Sequence, residues 1–168
     1  MVCSMAISRF ASLRLALPLL RVINISTIQS RFNSDVRYTD EHAWVRRTGT
    51  VATVGITKTA ADLYGDIMYL KLPSPGESFK KGGNFFHLPN APLDIIGNVE
   101  STKAASDISS PVSGKVEAIN QSLVENLRIL NRTPETEGWL VKMELTSPNE
   151  IDELMTEEEY QNYLKREQ

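Results

Sequence analysis

The run from Gly97 to Ile108 reads Gly-Asn-Val-Glu-Ser-Thr-Lys-Ala-Ala-Ser-Asp-Ile and places one lysine, Lys103, where two extended segments meet. A lysine at a hairpin tip is solvated and accessible, and Ser101, Ala104 and Ala105 back it with short side chains. That setting suits an amine that a partner enzyme must single out and acylate, a modification that removes its charge. The same residue types also describe an ordinary surface lysine, and spacing alone does not separate the two readings. Other chemistry is scarce: the sequence offers no phosphate-binding glycine loop, nucleophile triad or metal-ligand cluster. Its one cysteine, Cys3, lies in the amino-terminal tail. If that tail is removed, disulfides, a cysteine-ligated zinc and a cysteine nucleophile are excluded together.

The elements that must hold such a hairpin are short and mostly β. Ala43 to Arg47 and Val51 to Ile56 flank Thr48-Gly49, which predicts a hairpin turn. Thr57 to Tyr64 carries a threonine cap at one end and Gly65 just past the other, which predicts a two-turn helix. From Ile67 to Leu72 the pattern alternates, with Met68, Leu70 and Leu72 on one face, until Pro73-Ser74-Pro75-Gly76 stops it. Pro111 to Gly114 reads as a turn feeding a strand from Lys115 to Asn120, and Leu123 to Leu130 as a short helix or helical turn. Gly138 to Leu145 gives the clearest strand, with Trp139, Val141, Met143 and Leu145 on one face and Lys142 and Glu144 on the other. Helical segments are expected over 148–166. Ser147 with Glu150, and Thr156 with Glu159, each have capping-box spacing. Many short strands at regular spacing imply a small barrel or sandwich with helices at its margins.

Charge divides the chain in two. Residues 1–34 hold four arginines (Arg9, Arg14, Arg21 and Arg31) and no acid, which leaves 14 basic against 21 acidic residues in 35–168, a net of −7. An acidic body argues against nucleic acid or an anionic membrane as the main partner. The tail is rich in Arg, Ser and Leu, the composition of a mitochondrial transit peptide. Arg14 and Arg21 share a helical face, and Leu13, Leu17 and Leu20 form an apolar stripe. A secretory signal would need Leu15 to Leu20 as its apolar region, which is short, contains Pro18 and lacks a small-residue cleavage site. The expected organisation is therefore a transit peptide over 1–34, cleaved near Arg31 to Ser34, and a folded domain over 35–168 delivered to the mitochondrial matrix.

The stretch Glu100-Ser101-Thr102-Lys103-Ala104-Ala105-Ser106-Asp107, followed by Ser110-Pro111-Val112-Ser113-Gly114, resembles the lipoylation loop of the glycine cleavage H proteins. Further segments resemble the same family in order. They are Tyr38-Thr39-Asp40-Glu41-His42, Val51 to Thr57, Leu63-Tyr64-Gly65-Asp66-Ile67, Glu137-Gly138-Trp139-Leu140 and Ser147-Pro148-Asn149-Glu150. The resemblance implies a mainly β fold, a lipoyl-domain-like barrel-sandwich hybrid with short flanking helices and a C-terminal helical segment. It also implies a non-catalytic shuttle of the glycine cleavage system, in glycine catabolism and one-carbon metabolism, with lipoate amide-linked to Lys103. The partners it implies are a lipoylating enzyme, a pyridoxal-phosphate glycine decarboxylase that loads an aminomethyl group, an aminomethyltransferase that takes the one-carbon unit, and a dihydrolipoamide dehydrogenase that reoxidises the dithiol. It casts Glu100 and Ser101 as recognition residues, Asp107 as a carboxylate near the loaded amine, and His42 as lining for the arm. Three of these also have plainer readings: Glu100 as a strand-edge acid that aids solubility, Asp107 as a solvated loop acid, and His42 as a surface or core histidine.

The pattern departs from the family in three places. Ala43 stands where the family usually carries glutamate between His42 and Trp44. The path from Lys81 to Gly97 is longer, with an extra segment over 84–96. Leu127-Arg128 replaces a usual Pro-Gly. Ala43 and the extra segment keep an alternative open: an H-like protein acting as a lipoate donor or as an unlipoylated interaction module. A biotinyl carrier fits less well, because biotin domains favour methionines where Thr102 and Ala104 stand.

Overall fold

The computed structural model describes residues 35–82 and 94–167. The expected transit segment over 1–34 and most of the extra segment over 84–96 lie outside the described residues. In chain order come β1 (Asp35–Tyr38), β2 (Ala43–Thr48), β3 (Val51–Ile56), α1 (Lys58–Tyr64), β4 (Ile67–Lys71), β5 (Ser78–Phe79), β6 (Ile95–Ser101), β7 (Ala105–Ser109) and β8 (Gly114–Ile119). They are followed by α2 (Gln121–Glu125), α3 (Arg128–Arg132), β9 (Trp139–Leu145), a 3₁₀ turn (Pro148–Ile151) and α4 (Glu157–Glu167).

The strands form two open antiparallel sheets, one of six strands in the order β1-β2-β3-β9-β8-β5 and one of three in the order β4-β6-β7. Their inward faces share one core: Val45, Val54, Val116 and Met143 from the larger sheet meet Ile67, Ile96, Val99 and Ile108 from the smaller. Leu123, Leu130 and Leu140 are fully buried in the same cluster. Truncating one of them to alanine costs about 2–5 kcal/mol. The expected fold class is thus found, a mainly β sandwich of open sheets with helices at the margins.

The β2–β3 hairpin turns at Gly49, whose φ of 66° is free to glycine but costly to other residues. Helix α1 begins as expected, with the Thr57 side chain accepting from the Ala60 amide, and ends at Gly65, whose amide donates to the Ala61 carbonyl. Asn120 caps α2 and ties it down, donating from its side chain to the carbonyls of Glu137 and Trp139, both at 2.8 Å.

Four expectations need correction. Met68 does not share the inner face with Leu70; it is 68% exposed, because the β4–β6 register shifts between Ile67 and Tyr69 and turns it outward. Trp139 does not join Val141 in the core. A register shift in the β3–β9 ladder buries Leu140 and Val141 in succession, leaving Trp139 half-buried with the Lys142 ammonium 4.9 Å from its ring centroid. Leu123 to Leu130 is not one helix but parts of α2 and α3, separated at Asn126-Leu127. Ser147 makes no cap bond; Glu150 instead accepts from the Ser113 amide at 2.6 Å and its hydroxyl at 2.8 Å. The second capping box does form: the Thr156 amide and hydroxyl donate to Glu159, and the Glu159 amide donates back to the Thr156 hydroxyl.

Candidate functional site

Strands β6 and β7 pair along their length, Glu100 opposite Ala105 and Asn98 opposite Asp107, and their turn carries Thr102, Lys103 and Ala104. The turn is ordered from within. The Ser101 hydroxyl accepts from the amides of Lys103 at 3.1 Å and Ala104 at 3.0 Å and donates to the Ala104 carbonyl, while the Ser101 amide donates to that carbonyl at 2.8 Å. Serine is favoured here because its short hydroxyl reaches amides two and three residues on. A second tether crosses to the α1–β4 turn, where the Asp66 carbonyl accepts from the Thr102 amide at 3.3 Å.

Lys103 is exposed and, among the described residues, makes no ion pair, so acylating it breaks none. Its side chain lies over Gly65. A Cβ added to that glycine would sit 3.3 Å from both Cε and Nζ of Lys103. Three large apolar side chains are exposed on the elements beside this seat: Leu63 on α1 and Met68 and Tyr69 on β4. A free amine on an ordered turn, beside apolar surface, fits attachment of an apolar acyl cofactor through an amide.

The other expected residues are distributed around this tip. Glu100 is exposed in register with Tyr69 and has no side-chain partner among the described residues. Asp107 is exposed on the same face of the sheet and accepts from the side-chain amide of Asn98 at 2.7 Å. His42 stands elsewhere. It lies at the amino-terminal end of α1, since its carbonyl accepts from the Thr57 amide, whereas Lys103 lies over the carboxyl end. Seven residues of helix separate the two by about 10 Å.

His42 has a φ of 61°, a left-handed conformation unusual for a residue with a Cβ. Its Nδ1 is 2.8 Å from the Tyr160 hydroxyl and its Nε2 is 3.6 Å from Glu167. Tyr160 stacks on Tyr38, their centroids 4.7 Å apart. Burial, with the nearby Glu135 and Glu157 carboxylates, raises the Tyr38 hydroxyl above its usual range. The Tyr163 hydroxyl is pushed up to about 12, chiefly by its hydrogen bond to Glu167. Ala43 is buried beside this cluster, its amide donating to the Thr39 hydroxyl, so position 43 itself brings no carboxylate. The sequence reading missed the Gly65 seat and the bond from Tyr160 to His42. Both join residues far apart in the chain, and only the positive-φ signal of a helix-ending glycine was available beforehand.

An open cleft of about 910 Å³ runs between the β1–β2 turn and the 3₁₀ region, lined by residues that include Asp40, Glu41, Lys81, Ser110 and Glu153. None of Lys103, Glu100, Ser101, Asp107 or His42 lines it. Among the described residues no group of three metal-ligating side chains occurs.

A family model described as glycine cleavage H-protein matches residues 36–167. The chain is 40% identical over 149 residues to the glycine cleavage system H protein 2, mitochondrial, of Arabidopsis thaliana, covering 86% of this chain and 88% of that one. It is 44% identical over 132 residues to the glycine cleavage system H protein of Methylacidiphilum infernorum, covering 79% and 94%. A crystal structure of a glycine cleavage system H protein from Mycobacterium marinum superposes with a TM-score of 0.64 at 28% identity, covering 80% of this chain and 97% of that one.

Proposed function

The chain belongs to the glycine cleavage H-protein family, and from that premise we propose that Lys103 is the residue it presents for lipoate. As a carrier subunit of the glycine cleavage system it is not itself a catalyst. When attached, lipoate supplies the disulfide-dithiol couple and the arm on which a one-carbon unit travels between glycine decarboxylase, aminomethyltransferase and dihydrolipoamide dehydrogenase.

The chain's own residues present and recognise. Ser101 fixes the turn, Gly65 leaves room for the end of the lysine side chain, and the β6–β7 turn holds Lys103 at an exposed position. Glu100, exposed and unpaired among the described residues, is available to the lipoylating enzyme. Asp107 keeps one carboxylate oxygen on Asn98, which leaves the other free to face a cationic group carried by the arm. His42 acts through the fold rather than by touching the lysine. Residues 1–34 are proposed to direct import into the mitochondrial matrix and to be removed there. What carries the reading is the resemblance of the Glu100-to-Asp107 sequence to the family's lipoylation loop, with Lys103 exposed at the tip of its turn.

The test is to purify the mature protein from mitochondria and fragment the Lys103 peptide in a mass spectrometer. A lipoyl adduct on Lys103, lost in Lys103→Arg, is expected. An unmodified Lys103 in cells that lipoylate other proteins overturns the carrier assignment and leaves an interaction module in its place.

A further inference from the structure

The cluster around His42 is joined to the Lys103 seat by a continuous run of hydrogen bonds. The Tyr160 hydroxyl lies 2.8 Å from His42 Nδ1 and 3.1 Å from the Thr57 hydroxyl. Thr57 is the N-cap of α1 and accepts from the Ala60 amide at 3.3 Å. The far end of that helix is Gly65, on which the Lys103 side chain rests.

Counting protons along this run shows what it does. Glu167 beside Nε2 favours the neutral imidazole that carries its proton there. Nδ1 then accepts from Tyr160, Tyr160 accepts from the Thr57 hydroxyl, and Thr57 accepts from Ala60, so every group is satisfied. A proton added to Nδ1 reverses the donors: Nδ1 donates to Tyr160, and Tyr160 must donate to Thr57. The Thr57 hydroxyl proton is then left with no acceptor among the described residues, in a side chain only 1% exposed. A buried donor without a partner is costly, and the Thr57 oxygen must now accept from both Tyr160 and the Ala60 amide, so the cap bond weakens. Among the described residues the ionisable groups shown against the imidazole are Tyr160, Tyr163 and Glu167, all on α4, while Tyr38 of β1 stacks on Tyr160, and Asp40 and Glu41 precede His42 in its turn. Glu167 gains from the added charge, so α4 holds while α1 loosens.

We propose that His42, Tyr160 and Thr57 form a proton-sensitive relay that sets the amino-terminal cap of α1 and thereby positions the turn on which Lys103 rests. The functional part rests on Lys103 being the attachment site; the structural part does not. The test on the unmodified full chain is amide hydrogen exchange from about pH 8 to about pH 5.5. Protection of the Ala60 amide is expected to fall about fivefold relative to β3 amides, the factor that corresponds to losing one cap bond. Tyr160→Phe, which keeps the ring stack, and His42→Asn, which tolerates positive φ without titrating, should abolish that fall. A constant Ala60 protection in the wild type, or an unchanged fall in either folded variant, overturns the relay. The functional arm is the KM of a lipoylating enzyme for each protein over the same pH range. A ratio of wild type to Tyr160→Phe that changes with pH supports positioning, and a flat ratio overturns it. If no attachment occurs at any pH, the Lys103 assignment fails and the exchange data still decide the relay.

Discussion

Replacing Gly65 by alanine tests the seat of Lys103 directly. The residue has φ 74° and ψ −138°, a backbone region open essentially to glycine, and forcing an L side chain into it costs about 1–3 kcal/mol. A steric contribution adds to this, because the new Cβ would lie 3.3 Å from Cε and Nζ of Lys103. Those atoms belong to the movable end of a flexible side chain, so the lysine yields and the backbone cost dominates. Gly49→Ala is the matched control: φ is also positive, at 66°, but nothing lies within 4 Å of the added atom. Both variants should lose stability in urea unfolding, with lower midpoints at an unchanged slope. Only Gly65→Ala should alter the rate at which an amine-reactive reagent labels Lys103 relative to Lys115. The reasoning is refuted if Gly65→Ala costs less than about 0.5 kcal/mol, within the range of ordinary surface changes. It is also refuted if Gly49→Ala shifts Lys103 labelling equally.

Three other changes have outcomes fixed by single contacts. Gly55→Ala would put a Cβ 2.6 Å from the buried Trp44 ring, and overpacking of this kind costs about 1–3 kcal/mol, measurable by chemical unfolding. Glu150→Ala strips the partly buried Ser113 amide and hydroxyl of their acceptor and should cost about 1–3 kcal/mol in the same assay. Glu159, bonded by the Thr156 amide and hydroxyl, is held below the usual carboxylate range. With a lowered folded value, its contribution is present above the unfolded value and lost as pH falls through the folded one, so the α4 cap should weaken on acidification. A carboxyl NMR titration should place the Glu159 midpoint below that of an unstructured glutamate in the wild type and less far below it in Thr156→Ala, which loses the hydroxyl bond but keeps the larger contribution of the backbone amide.

Local chemistry was legible wherever a residue's partner lies nearby. Thr57 and Gly65 announced α1 because a cap and a stop act within a turn of the helix. The β6–β7 hairpin was readable because alternation brackets a short polar tip. Met68 failed because its orientation depends on a register shift against β6, which no pattern within β4 records. Ser147 failed because Glu150, at the right spacing for a box, finds Ser113 instead, 37 residues away. The bond between His42 and Tyr160 was not readable, because the two lie 118 residues apart and nothing local marks the pair. Lys103 is the opposite case. Its turn was readable, but only resemblance to a family separates it from other exposed lysines.

Presentation has an energetic logic that Ser101 exposes. On the proposed function several enzymes visit Lys103, and a lysine with that role cannot sit in a pocket, because each partner would then have to displace its walls. An exposed but floppy turn carries a different penalty, since each backbone residue ordered on docking costs about 1–2 kcal/mol. The Ser101 hydroxyl removes that cost in advance by holding the amides of Lys103 and Ala104, which leaves mainly the lysine side chain to be ordered. Ser101→Ala should therefore separate stability from recognition. Both amides belong to exposed residues and water can replace the hydroxyl, so the unfolding free energy should stay within about 0.5 kcal/mol of the wild type. The KM of the lipoylating enzyme should rise with kcat little changed, because the loosened turn must be ordered on binding. Ser101→Thr, which retains a hydroxyl, should recover most of the affinity. If Ser101→Ala leaves KM unchanged, the turn is ordered by its strands and the Thr102 tether alone, and pre-organisation by the serine is refuted.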